Sequence, residues 1–297
     1  ATANGAVYER AVPVFADVDP ETLLIGAAQA EAVFTARTRA LIAVDYAGQP
    51  CDYSALADWA ARRQVPLVAD ACHSLGGSYL GQSVGSLARL NCFSLHPVKA
   101  MTSGEGGVIS TDDAALAQRL RRFRNHGLMQ PDPIARPWHA EQIELGWNYR
   151  LTDFQAALAA SQLTKLAEWT DRREQLAARY DAACAELPAL SPLAVLDNRR
   201  HAWHLYVVQL ELQRLSVDRD AIVQALRAEG IGVQVHYRPV HLQPFYRTHY
   251  GTRLGQCPAA EQAAERVISL PLFPAMTTAD QDDVIQSLEK VIQHYLK

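Results

Sequence analysis

In the segment NCFSLHPVKAMTSGEGG, residues 91–107, an apolar run delivers a serine, a histidine and then a single lysine, Lys99, into a glycine-rich turn. A lysine amine has an ordinary pKa of about 10.4 and becomes nucleophilic only when it is desolvated or condensed with an aldehyde. Two further polar groups mark the ends of apolar runs: Asp70 closes VPLVAD and Ser94 lies near the end of LNCFSL. A buried aspartate facing a pyridine nitrogen keeps that ring protonated and strengthens it as an electron sink, whereas serine hydroxyls and backbone N–H groups suit a phosphate. Amine, carboxylate and hydroxyl together meet the requirements of pyridoxal 5'-phosphate. A nucleotide-binding phosphate loop needs glycine directly before its lysine, and Val98 stands there instead. Taken singly, each residue also has a structural role: Asp70 caps the turn that begins ACHS, Ser94 bonds back to its own backbone, and Lys99 is solvated.

For the three groups to meet, the runs that carry them must emerge on one edge of a sheet. PVFADVD (13–19), ALIAVDY (40–46), VPLVAD (65–70) and LNCFSL (90–95) read as buried strands, being short, apolar and mostly bounded by turn formers. YSALADWAARRQ (53–64) has apolar residues at helical spacing, and DDAALAQRLRRFRNHG (112–127) reads as a helix ending at its glycine. This alternation predicts a mainly parallel sheet covered on both faces, with ligands at the carboxyl ends of its strands. From 151 to 187 the pattern predicts one long amphipathic helix, capped by Thr152 or Asp153, ended by Leu187-Pro188, and bridging two domains. The remainder offers HLYVVQLEL as an alternating strand, DRDAIVQALRAEGI as a helix, GVQVHY as a strand, and a last helix with Thr278 as N-cap. The expected organisation is a large domain over 1–165, an interdomain helix over 166–187 and a small α+β domain over 188–297.

The whole composition narrows the function classes. At 297 residues the chain is long enough for a large core and a second, smaller domain. A net charge of -4, with no dense cluster of lysine and arginine, argues against a nucleic-acid partner. No apolar run reaches the roughly 18 to 20 residues needed to span a bilayer, and no basic-then-apolar leader opens the chain, so the expected compartment is the cytoplasm. Cysteines at 51, 72, 92, 184 and 257 form no C-x-x-C pair and read as small core residues. His201, His204, His236 and His241 lack a metal-site spacing, so no metal is expected.

ADACHSLGG, FSLHPVKAMTSGEGG, RNHG and ELGWNYRLTDFQAALAASQL resemble the fold-type-I, pyridoxal-phosphate-dependent sugar aminotransferases of the DegT/DnrJ/StrS family, and the likeness runs from residue 1 to the C-terminus. VDYAGQPCD, RHAWHLYVVQL, GIGVQVHYRPVHLQPFYR and ISLPLFPAMT are most similar to the aminotransferases of the pseudaminic acid pathway. That likeness implies L-glutamate as amine donor and a UDP-linked 4-keto-6-deoxy sugar as acceptor. The implied fold is α/β, a mainly parallel large domain without the family's front segment, joined to a small α+β C-terminal domain. Lys99 is implied to link covalently to the cofactor and to shuttle a proton between cofactor and sugar. Asp70 is implied to pair with the pyridine nitrogen, His73 to lie near the ring, and Ser94 to bind the phosphate. Asn148, in WNYRLT, matches an asparagine that reaches the phosphate of the neighbouring subunit's cofactor, which implies a homodimer with shared sites. Arg150, Tyr237 and His241 are candidates for nucleotide-sugar contacts, the last two from a segment implied to lie at the cleft mouth.

The family's Gly-Thr/Ser-x-Ala phosphate turn and the ring-stacking aromatic ahead of the ATAN stretch have no counterpart in the sequence. Their lack leads to the expectation of weakened cofactor binding and bare apolar surface on the large domain. A second function class is therefore a non-catalytic member that binds sugar nucleotide only. A sugar dehydratase of the same fold typically has histidine in the lysine's place, and Lys99 argues against it.

Overall fold

The computed structural model describes residues 1–134 and 136–297. Four short runs form its central sheet, in the spatial order Leu41–Val44, Leu67–Asp70, Leu90–Ser94 and Gly107–Ser110. The first three are parallel and the fourth runs antiparallel to the third. Val44 stands opposite Asp70, and Asp70 opposite Cys92, so the carboxyl ends of the parallel strands lie level. Backbone bonds continue beyond them, from Asp45 N to Asp70 O at 3.1 Å and from Ala71 N to Cys92 O at 2.9 Å. Asp70 and Ser94 are thereby delivered to one edge.

The helix Tyr53–Arg63 begins where the Asp52 carboxylate accepts from Ala55 N at 3.1 Å, and it buries Tyr53, Leu56, Trp59 and Ala60, the three-to-four spacing that the sequence shows. Other expectations need correction. The 13–19 run is not a strand. Its Asp17 carboxylate accepts from Ala259 N and Ala260 N at 2.9 and 3.0 Å, at the start of the helix Pro258–Arg266, so this segment caps a distant element instead of pairing in a sheet. The 112–127 helix spans only Ala114–Phe123 and stops before Gly127.

The expected long helix is two helices, Asp153–Leu163 and Leu166–Ala185. Thr164 Oγ1 bonds back to Ser161 O at 2.8 Å where the first ends, a local bond that competes with helix continuation. Thr152 caps the first helix in a reciprocal box with Gln155. That helix buries none of its residues, whereas the second buries Leu166, Thr170, Arg173, Leu176, Ala177, Tyr180 and Cys184 along one stripe.

The second stripe closes a separate core. Tyr206–Leu210 pairs antiparallel with both Leu190–Pro192 and Val267–Leu270, and it is buried at every position, not in alternation, because the sheet is covered on both faces. Ile222 and Leu226 from the helix Arg219–Ala228, and Val284, Leu288 and Ile292 from the helix Thr278–Tyr295, fill the same cluster. The last helix is capped by Thr277 and not Thr278, in a box with Asp280. GVQVHY contributes a single bridge, Gln234 to Ser269, instead of a strand. Among the described residues no helix is long and apolar enough to cross a membrane, and no group of histidine, cysteine and acidic side chains could hold a metal ion.

Candidate active site

At the carboxyl edge of the parallel strands, Asp70 turns the chain into the segment that carries Cys72, His73 and Ser74. Its Oδ1 accepts from Cys72 N at 3.2 Å, and its Oδ2 accepts from the hydroxyl of Thr2. Lys99 follows strand Leu90–Ser94 through a turn closed by Lys99 N to His96 O at 2.9 Å. Burial lowers the Lys99 pKa below its ordinary value, partly offset by Cys72 and by the Asp70 charge. A half-buried amine thus stands within electrostatic reach of a carboxylate, and a larger share of it is unprotonated at neutral pH than in water.

His73 is buried and held neutral. Burial, helped by the positive charge of Lys99, brings its pKa down to about 3. Its Nδ1 has no hydrogen-bond partner, although buried ring nitrogens are ordinarily paired. The His204 ring lies 4.4 Å from it, and burial also brings that ring down to about 2. Ser94 stands at its strand end and accepts from His96 N at 3.3 Å, the local bond expected of it, with its own proton free to be donated. Asp70, His73, Ser94 and Lys99 are therefore gathered at one edge.

Of the remaining expected residues, Tyr237 borders this edge and Asn148, Arg150 and His241 do not. Tyr237 is 53% exposed beside Tyr46, whose hydroxyl donates to His236 O and whose ring lies 6.5 Å from His73. Asn148 and Arg150 are exposed. Asn148 forms an isolated bridge with Asn125, and Arg150 donates to the Asn125 side chain, in a surface groove of about 540 Å³ that also presents Arg121, Arg122 and Arg124. His241 departs from expectation: it is 2% exposed and its Nε2 bonds Glu261 Oε1 at 2.7 Å, so it is built into the interior and does not present itself at a cleft mouth.

Thr2, Tyr46, His204 and His236 also come to this edge, although the sequence reading assigns none of them a cofactor or substrate role. They come from four separate segments, and only the tertiary fold joins them. Thr2 opens the short helix Thr2–Tyr8, whose start has no side-chain cap, so its hydroxyl is available for bonding beyond its own backbone.

The model of the DegT/DnrJ/EryC1/StrS aminotransferase family matches residues 1–289. The chain belongs to this family. It is 36% identical over 297 residues to the spore coat polysaccharide biosynthesis protein SpsC of Bacillus subtilis, covering 98% of this chain and 76% of that protein. Among solved structures it is similar to Helicobacter pylori PseC, described as an aminotransferase involved in the biosynthesis of pseudoaminic acid, with a TM-score of 0.92, 28% identity and coverage of 99% and 77%. It is also similar to the PLP form of Spr1654 from Streptococcus pneumoniae, with a TM-score of 0.90, 26% identity and coverage of 99% and 78%.

As a member of this family the chain is a pyridoxal-phosphate-dependent sugar aminotransferase of fold type I. The residues present fit the cofactor. They supply a desolvated primary amine, a carboxylate at a strand end for the ring nitrogen, a serine hydroxyl for the phosphate, and a buried histidine nitrogen still unpaired beside them.

Proposed function

We propose that this aminotransferase moves an amino group from L-glutamate to the C4 ketone of a UDP-linked 4-keto-6-deoxy sugar, the reaction of the pseudaminic acid pathway, and works as a homodimer. The observation that carries the chemistry is the half-buried Lys99 amine beside Asp70 at the carboxyl edge of the sheet. The choice of sugar is supported by the likeness to PseC over 99% of this chain.

Bound pyridoxal phosphate supplies the electron sink that makes a carbon-bound proton acidic. Lys99, its pKa lowered by burial, takes and returns that proton at Nζ as general base and then general acid. Asp70 offers a carboxylate oxygen to the ring nitrogen, while Cys72 N fixes the rotation of the carboxyl group. His73, neutral and buried, offers Nδ1 as a directional hydrogen-bonding group. Ser94 donates to the phosphate, and Tyr237, exposed beside the cleft, contacts the sugar nucleotide.

Asn148 serves the neighbouring subunit's site, and Arg150 contacts the sugar nucleotide. Their exposure, and the exposed Leu145, Trp147 and Phe154 nearby in sequence, support a second copy packing on this surface. The reading also divides the chain into the large domain over 1–165, the linking helix over 166–187 and the small domain over 188–297.

The test is a turnover assay with purified protein, pyridoxal phosphate, L-glutamate and a panel of nucleotide-linked 4-keto sugars. The UDP-linked 4-keto-6-deoxy sugar is expected to give the highest kcat/KM, with formation of 2-oxoglutarate. A different sugar nucleotide winning by tenfold or more, about 1.4 kcal/mol of transition-state preference, rejects the pathway and leaves the aminotransferase standing.

A further inference from the structure

Asp45 is fully buried, and none of the steps above uses it. It follows the strand Leu41–Val44 just as Asp70 ends the next strand. Its carboxylate accepts three hydrogen bonds: Oδ1 from Cys51 N and from the Tyr53 hydroxyl, both at 2.9 Å, and Oδ2 from Ser74 Oγ at 2.5 Å. Among the described residues no lysine or arginine forms an ion pair with it. Burial pushes its pKa up to about 6, so at neutral pH the fold keeps an anion where a neutral group would be held at less cost. Such a group is commonly found where function requires it.

What Asp45 holds is the turn that faces the cofactor. Ser74 is fully buried, and its backbone closes that turn through Ser74 N to Ala71 O at 3.1 Å and Gly77 N to Ser74 O at 2.8 Å. The turn is thus stiff within itself, and the Oδ2 bond ties it to the end of the neighbouring strand. His73 is the residue before Ser74, and its carbonyl lies against Gly48, where a Cβ would come within 2.9 Å of it and where φ is +113°. The backbone of His73 is therefore clamped between the Asp45 bond and the Gly48 backbone.

We propose that Asp45 is a positioning residue for the cofactor site: by holding Ser74 it fixes the 71–77 turn, and with it the His73 ring and the Asp70 carboxylate, relative to Lys99. The proposal rests on the assignment of this edge as the pyridoxal-phosphate site. Asp45 acts through Ser74 and touches neither cofactor nor substrate.

Three variants of the full chain separate positioning from simple core stability. Asp45→Asn keeps the shape and an Oδ1-like acceptor but removes the anion that orients Ser74. Ser74→Ala removes only the Oδ2 link, and Tyr53→Phe removes only one Oδ1 link. Each is measured for pyridoxal phosphate affinity, for Tm, and for the His73 ring resonances in the cofactor-free protein. Asp45→Asn and Ser74→Ala are expected to weaken the cofactor by about tenfold or more and to shift the His73 resonances. Asp45→Asn is expected to do so with Tm unchanged or raised, while Tyr53→Phe lowers Tm and leaves cofactor affinity within about twofold.

The proposal is overturned if Asp45→Asn and Ser74→Ala keep wild-type affinity and His73 resonances, or if all three variants lose affinity only in step with Tm. A wild-type chain that failed to bind pyridoxal phosphate would reject the cofactor assignment separately. The His73 resonances of the cofactor-free variants would still decide the role of Asp45 in holding the turn.

Discussion

The two sheets that close the main cores, the four-stranded one and the three-stranded one built on Tyr206–Leu210, are made of similarly apolar runs and are covered very differently. In the three-stranded sheet, Tyr206–Leu210 and Val267–Leu270 are buried at every residue. In the four-stranded sheet, Ile42, Val44 and Ile109 are 36%, 37% and 48% exposed. Register explains which side is open. Val44, Asp70, Cys92 and Ile109 stand opposite one another across four strands and so share a face, the one that carries the Asp70 carboxylate. Ala43, Ala69 and Asn91 share the other face and are buried. One sheet is closed over on both faces, and the other leaves bare the face that carries Asp70, which fits the bare apolar surface expected of the large domain.

The contrast can be broken most sharply at Lys99. Lys99→Ala is expected to lower turnover by about a thousandfold or more with little change in Tm, read by the transamination assay and thermal melting. Unchanged turnover would remove the open sheet's edge from the chemistry. Next in size is a paired truncation of one residue type. Ile222→Ala, in the closed core, is expected to cost about 2 to 5 kcal/mol in denaturant unfolding, while Ile109→Ala on the open sheet is expected to cost under about 1 kcal/mol. Equal losses would show the two sheets to be equally covered in solution.

Acid sharpens the comparison further. Burial brings His73 and His201 to about 3 and His204 to about 2, all from 6.5. Below pH 6.5 the unfolded chain takes up protons that the fold refuses, so the stability these neutral rings contribute is present above 6.5 and lost as pH falls toward their folded values. Asp45 works in the opposite sense. Its pKa is raised from 3.8 to about 6, so between those values the folded state holds a proton that the unfolded chain does not. Three rings outweigh one carboxyl, and unfolding free energy is expected to fall from pH 7 to pH 5. His204→Gln should flatten that slope and Asp45→Asn should steepen it, each by up to about 1.4 kcal/mol per pH unit, measured as urea midpoints across the range.

The smallest effect expected is at Arg173. It is 6% exposed, its Nε and Nη1 have no partner, and burial alone lowers its pKa to about 10. Arg173→Met, close in volume and uncharged, is expected to raise stability by about 1 kcal/mol in the same unfolding measurement, and a loss would show that the guanidinium is compensated.

Much of the site was legible because its members end strands. Asp70, Ser94 and Lys99 each follow an apolar run, and a parallel sheet brings such ends together whatever the rest of the chain does. Asp45 carries the same signal, an aspartate directly after an apolar strand, but precedes no lysine and no glycine-rich turn, so nothing in its surroundings in sequence marks it out. The 13–19 run misled for a related reason. Its apolar pattern suits a strand, but the partners of Asp17 are backbone groups more than 200 residues away. His241 misled in the other direction, since a histidine in a segment expected at the cleft was taken inward by Glu261.

The sequence alone determined the parallel strands and the helices of the central sheet from residue 40 onward and the chemistry available at the strand ends, because spacing and strand direction are local properties of the backbone. Only the tertiary structure decided which rings lie in the dark together, which face of the sheet stays open, and how far Lys99, His73, His204 and Asp45 are moved from their ordinary protonation. Desolvation depends on everything packed around a group, and here the packing comes from segments as far apart as residues 2, 46, 73, 99, 204 and 236.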